Sequence, residues 1–249
     1  MSATRAKQVT LENRLEFMGI DSAARKKLRE LKPSLERHIG PALTTFYDKV
    51  RATPHTAQFF SSDAHVAAAK GRQETHWTGI AEATYGDGYE KAVRTIGQVH
   101  AKIGLEPTWY IGGYALIAEH LIKAVVKEQW PGLLARGNTP ESMGAALAAL
   151  VKAIMLDMDL AISTYLEALD ERRHNAESAH AEAEERQNEA VKAIAHALSR
   201  IAAGDLSTRL NQALAPEFDR LKTDFNHAAE ALGQTLAAVA QSADSNSAS

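Results

Sequence analysis

The chain has 249 residues, room for one full domain and a smaller module. A formal net charge of -3 excludes the broad basic field of a nucleic-acid binder, and the absence of cysteine excludes disulfides, thiolate-ligated haem, Cys-held iron–sulfur clusters and c-type haem attachment. The opening MSATRAKQVTLENRLEF lacks the apolar core of about 7–15 residues that a signal peptide needs, and no run approaches the ~20 apolar residues of a membrane span.

Strand-like alternation is almost absent, and long stretches rich in Ala, Leu, Glu, Lys and Arg predict an all-α chain. A short helix is expected near 9–17. One from about 22 to 38 follows, capped by Asp21 or Ser22, then another from about 40 to 52 after Gly40 and Pro41. Thr53–Pro54 marks a turn into a short apolar element ending at Phe59–Phe60. Ser62 or Asp63 caps a helix to about 82. Gly86-Asp87-Gly88 reads as a turn, and the next helix ends at Gly104. Pro107 opens a helix to about 128, closed by Pro131 and Gly132. Thr139-Pro140-Glu141 starts a long helix through about Leu169. The two most apolar stretches, near 112–126 and 143–169, are interrupted by Glu119, His120 and Lys123 and by Lys152, Asp157 and Asp159. They read as buried amphipathic helices with no membrane span, in a cytoplasmic protein.

From 170 to 190 the texture becomes DERRHNAESAHAEAEERQNEA, too polar to bury a face, and reads as a helical connector continuing the preceding helix. Val191, Ile194, Leu198 and Ile201 then repeat at the 3-4-3 spacing of a coiled-coil seam. Gly204-Asp205-Leu206 breaks it. The seam resumes after Pro216 at Phe218, Leu221, Phe225, Ala228, Leu232 and Val239. This order of helix, Gly-Asp-Leu break, connector, Pro-Glu and second heptad helix carrying Asn226 resembles a HAMP domain. The resemblance implies a parallel dimeric four-helix bundle, with Leu206 and Leu210 as apolar anchors of the connector. The expected limits are 1–170 for the first domain, 171–187 for the linker, 188–240 for the HAMP module and 241–249 for the start of an output region.

His100 stands out among ten histidines. It lies near the end of an apolar-periodic helix with Ile96, Val99 and Ile103, just before the Gly104 stop and the Pro107 start. An imidazole beside such a corner suits a buried ligand to a flat cofactor. The run His-x-x-x-Gly-Leu-x-Pro-x-Trp-Tyr resembles the proximal-histidine segment of sensor globins, the haem domains of globin-coupled sensors. The resemblance implies a globin fold, haem b as cofactor and His100 as the axial iron ligand. Tyr47, in ALTTFYDKV, matches the family's Phe-Tyr dipeptide, which implies a phenol over the haem and Phe46 as a pocket wall. The same carry-over puts Ala69, Arg72 and Gln73 on the distal helix, with Ala69 leaving room for ligand and Gln73 as a second donor. Arg72 and Ala69 depart from the apolar or hydroxyl side chains the family places there. Ile103 and Tyr110 complete the proximal side. His76, in QETHW, has a second axial position as its alternative, but the family's similar His-Trp pair implies a structural role. The remaining polar-context histidines read as solvent-facing.

The implied function is a homodimeric sensor of O2, able to take CO and NO, that passes ligand state through a helical bundle and HAMP to a chemotaxis or aerotaxis output coupled to chemotaxis kinase machinery. HAMP followed by Val-Ala-Gln-Ser-Ala resembles the entry to a methyl-accepting chemotaxis protein. The alternatives are a diguanylate cyclase or histidine kinase output, or a haem-free relay of globin shape. An enzyme is not expected, since no Gly-rich nucleotide loop and no Ser/His/Asp triad appear in the sequence.

Overall fold

The computed structural model describes residues 9–130 and 139–247. The expected Pro131–Gly132 stop lies outside them. The described chain holds eight α-helices and no strand: α1 Leu11–Phe17, α2 Ser22–Ala52, α3 Pro54–Ala57, α4 Asp63–Glu82, α5 Asp87–Ile103, α6 Pro107–Gln129, α7 Pro140–Ala202 and α8 Asp219–Ser247. A 3₁₀ turn, Pro216–Phe218, precedes α8. No helix among the described residues is long and apolar enough to cross a membrane. The chain divides into two compact units between Asp170 and Glu171.

In the first unit, α2 is the central element, packed along its length against α4 and α6. Asp21 is its cap, accepting from the Ala24 N–H at 2.8 Å. The break expected at Gly40–Pro41 does not occur, and Pro33 and Pro41 both lie inside one helix of 31 residues. Each proline removes one backbone bond. The burial of Leu28, Leu31, Leu35, Ile39, Leu43, Tyr47 and Val50 on one stripe keeps the helix whole. Glu128 of α6 ties the middle of α2 down, accepting from Ser34 at 2.6 Å and Arg37 at 2.8 Å and lying 2.7 Å from His38 Nε2. His38 is therefore a paired side chain and not a freely solvated one.

Ser62 caps α4 through the His65 N–H. The α4–α5 corner carries two non-glycine residues at positive φ, Ala83 (54°) and Tyr85 (46°), and both are buried. The Gly86-Asp87-Gly88 triplet is a helix start, with Gly86 as N-cap and Asp87 and Gly88 already inside α5. An acidic residue suits that first turn. At the other end Gly104, at φ 74°, donates back to the last turn, and the Leu105 N–H reaches the His100 carbonyl at 2.9 Å.

Helix α5 lies flush on α7 at Gly97. A Cβ there would sit 2.6 Å from the Ala161 carbonyl oxygen and 2.8 Å from Thr164 Cβ. Gly97→Ala gains helix propensity, but the close partner is backbone and cannot swing aside. The expected net loss is about 1–3 kcal/mol. A lowered urea midpoint with unchanged slope would show it, and an unchanged midpoint would refute the close packing.

In the second unit the expected connector is helical, because α7 continues through Ala202. The buried positions on this part of α7 are Ala190, Ala193 and Ala197, whereas Val191 and Leu198 of the expected seam are exposed. On α8, Ala229 is buried instead of Ala228. One chain thus packs the small-residue stripe beside the seam, with Ile194 and Phe225 half-buried against it, and leaves Val191, Leu198, Leu221 and Leu232 outward. Leu210 is buried with Ala193 and Ala197, and Leu206 is half-buried. The Asn226 side chain clamps the connector, accepting from Leu210 N at 2.8 Å and donating to Leu210 O at 3.3 Å. Arg186 pairs with Glu217 at 2.8 Å.

Candidate functional site

His100 sits in the last turn of α5 with its backbone carbonyl engaged by the corner. Its Nδ1 is buried and has no hydrogen-bond partner. The ring stacks on Tyr110 of α6, centroids 5.0 Å apart. The Tyr110 hydroxyl is also buried without a partner, as is Oε1 of Gln73 on α4. Buried polar atoms are ordinarily satisfied. Among the buried orphans of the described residues, three fall on residues that the resemblance assigns to one site, carried by three different helices. Such a set fits a group that supplies bonds and coordination when present.

The electrostatics agree. Burial pushes the His100 imidazole down to about 4, so it is neutral at physiological pH, as a metal ligand must be. Burial pushes the Tyr47 hydroxyl up to about 12, with the Arg72 charge pulling weakly the other way. Tyr47 therefore remains a protonated donor. Burial also pushes Tyr110 up to about 12.

Tyr47 is buried on α2, its ring edge-on to Phe46 at 4.9 Å and to Phe60 at 5.7 Å. Phe46 covers Gly113 of α6, where a Cβ would meet its ring at 2.7 Å. Ala69 is half-buried on α4 and packs against the core. Ile103 is exposed, as is Val99. The inward stripe of α5 is Val93, Gly97 and Ala101. The structure thus groups His100 with Tyr110, and Tyr47 with Phe46 and Phe60, and leaves Ile103 at the rim. His55 stacks on Trp109 at 5.4 Å. A crevice lined by Leu35, Ile39, Trp77, Ala81 and Leu121 contains none of the site residues and has no room for a water molecule. The site is defined by its donors.

The His100 shift has a sign that can be checked in the haem-free protein. Between the ordinary value of 6.5 and about 4 the unfolded chain binds a proton that the folded chain refuses. Stability contributed by the neutral ring is full above pH 6.5 and is lost as pH falls toward 4. From pH 7 to pH 5 the expected loss is about 2 kcal/mol. Urea unfolding of haem-free wild type and His100→Phe at the two pH values measures it. Equal pH slopes in the two proteins would rule it out.

Asp157, which the sequence shows only as a charge interrupting an apolar stretch, is a fully buried carboxylate on α7. His76 Nε2 lies 2.9 Å from both its oxygens, Tyr89 donates to Oδ1 at 2.9 Å and Tyr114 donates to Oδ2. The His76 Nε2 is thereby engaged by Asp157.

The protoglobin family profile matches residues 8–171, and the HAMP domain profile matches residues 186–234. A curated relative, the "Heme-based aerotactic transducer HemAT" of Halobacterium salinarum, is 25% identical over 167 residues, covering 65% of this chain and 34% of its own length. The chain thus spans about a third of that relative. Among solved structures, the globin domain of a Geobacter sulfurreducens globin-coupled sensor aligns with a TM-score of 0.57 at 18% identity, over 64% of this chain and 99% of that one. That likeness is one of fold.

Proposed function

The chain belongs to the protoglobin family through residues 8–171 and carries a HAMP domain after it, and from that premise we propose that it is a haem-based O2 sensor. His100 carries the reading: a neutral, half-buried imidazole whose buried Nδ1 has no partner, in the last turn of α5. When bound, haem b would supply an iron that takes up O2, and also CO or NO, reversibly. His100 would hold it from α5. Tyr47, with its proton retained, would donate to a gas molecule that gains negative charge. Phe46, Ala69 and Gln73 would shape the distal side, and Tyr110 the proximal side, with Ile103 at the edge.

The proposed limits are 1–170 for the sensor globin, 171–187 for the linker, 188–240 for the HAMP module and 241–249 for the lead into an output. The output proposed is aerotaxis, which the likeness to the HemAT aerotactic transducer supports, with chemotaxis kinase machinery as the proposed partner. Large apolar side chains exposed in a single chain support a homodimer: Ile111 and Leu116 on α6, Val151 and Met155 on α7, and Val191, Leu198, Leu221 and Leu232 in the HAMP segment. The proposed setting is cytoplasmic, without nucleic acid, and the proposed role is sensing and not catalysis.

The test is the absorption spectrum of purified, haem-reconstituted protein. About one haem per chain, a five-coordinate ferrous spectrum and a reversible change under O2 are expected. Failure to take haem near stoichiometry ends the sensor reading. Sustained peroxidase turnover would replace it with an enzyme.

A further inference from the structure

A buried carboxylate is costly unless its oxygens are fully used, and Asp157 draws its donors from three helices besides its own. His76 comes from α4, Tyr89 from α5 and Tyr114 from α6. The His76 and Tyr89 rings are nearly parallel, centroids 6.4 Å apart. Tyr85 stands edge-on to Tyr89 at 5.1 Å, with the Arg25 guanidinium 5.4 Å over its ring. Burial first, and the Asp157 charge second, raise the Tyr89 and Tyr114 hydroxyls well above their ordinary range, so both stay donors.

Each donating helix also carries a candidate site residue. His76 follows Gln73 by one turn on α4, Tyr114 follows Tyr110 by one turn on α6, and Tyr89 shares α5 with His100. The accepting helix carries none, and it is the one that continues to Ala202. Apolar contacts tolerate sliding. Hydrogen bonds to a buried carboxylate weaken steeply with distance and angle, and no water can replace them there. If the donor helices shift, α7 must follow or leave a charge unsatisfied. Gly97, bare against Ala161 and Thr164, gives α5 a second grip on the same helix.

We propose that Asp157 is the coupling residue of this sensor: the acceptor through which α4, α5 and α6, moving around bound gas, displace α7. This rests on the haem-sensor reading above.

The test uses the full, haem-loaded chain as wild type, Asp157→Asn and Tyr89→Phe. Haem content and the ferrous spectrum are recorded first. Hydrogen–deuterium exchange of peptides spanning 150–170 is then compared in the ferrous protein with and without CO. In wild type, exchange there should differ by about threefold or more between the two states. Asp157→Asn should keep haem and CO binding but lose at least two thirds of that difference, and Tyr89→Phe should lose part of it. Should Asp157→Asn not fold, Tyr89→Phe decides alone. The proposal is overturned if both variants keep the full CO-dependent difference while only their melting temperatures fall, which is what mere structural support would give. It is overturned too if wild type binds haem and CO yet shows no difference, and the sensor reading then stands. If wild type takes no haem, both fall.

Discussion

His100→Ala is expected to lower haem retention more than any other single substitution. Removing even an outer-shell partner of a metal ligand typically costs about 10–100-fold in affinity, and removing the ligand should exceed that. Haem remaining after gel filtration should fall at least about tenfold, and added imidazole should restore part of the ferrous spectrum by filling the vacated position. His76→Ala is the control. Its Nε2 is occupied by Asp157, so its loss should leave haem content near wild type. A His100→Ala protein with the wild-type ferrous spectrum would remove the histidine from the site. A His76→Ala protein without haem would move the ligand to α4.

Tyr47→Phe should leave haem content unchanged and speed O2 release. A hydrogen bond in a dry site contributes roughly 1–3 kcal/mol, which corresponds to about 5–150-fold in off-rate. CO gathers less negative charge, so its release should change by less than about twofold. Because burial holds the Tyr47 hydroxyl up at about 12, the wild-type O2 off-rate should be flat from pH 6 to pH 9. Stopped-flow release of both gases measures all three. Equal acceleration for O2 and CO would mean that Tyr47 acts by bulk, and no acceleration would place another donor over the gas.

The helices and most of their ends were legible because their signals are local. Asp21, Ser62, Gly104 and Pro107 each act within one turn. Gly40–Pro41 misled because the same local logic was outweighed by packing of α2 along its whole length. The second unit differs. A heptad marks residues that need an apolar partner, and one chain buries the alanines beside them. His100 and Tyr47 stand out as candidates because each lies in a recognisable run. Asp157 could not, because its donors lie 81, 68 and 43 residues away. A hint was present nonetheless. Its neighbours at one turn, Ala153, Ile154, Leu160 and Ala161, include no basic residue, so a carboxylate in IMLDMDLAI had to find its donors across the fold.

The short corner between α4 and α5 sets a lever. Ala69 is 13 residues before the end of α4 and His100 is 13 residues after the start of α5, so each stands about 20 Å out along its helix. The corner is anchored by two buried residues, Ala83 and Tyr85, in a backbone region that non-glycine residues enter at a cost of about 1–2 kcal/mol each. At that radius, about 5° of rotation at the root displaces the far end of a helix by about 1.7 Å. Ala83 and Tyr85 therefore hold mechanical advantage over residues a full helix away: a small change of angle at the corner would alter the separation of Ala69 and His100 without altering either side chain.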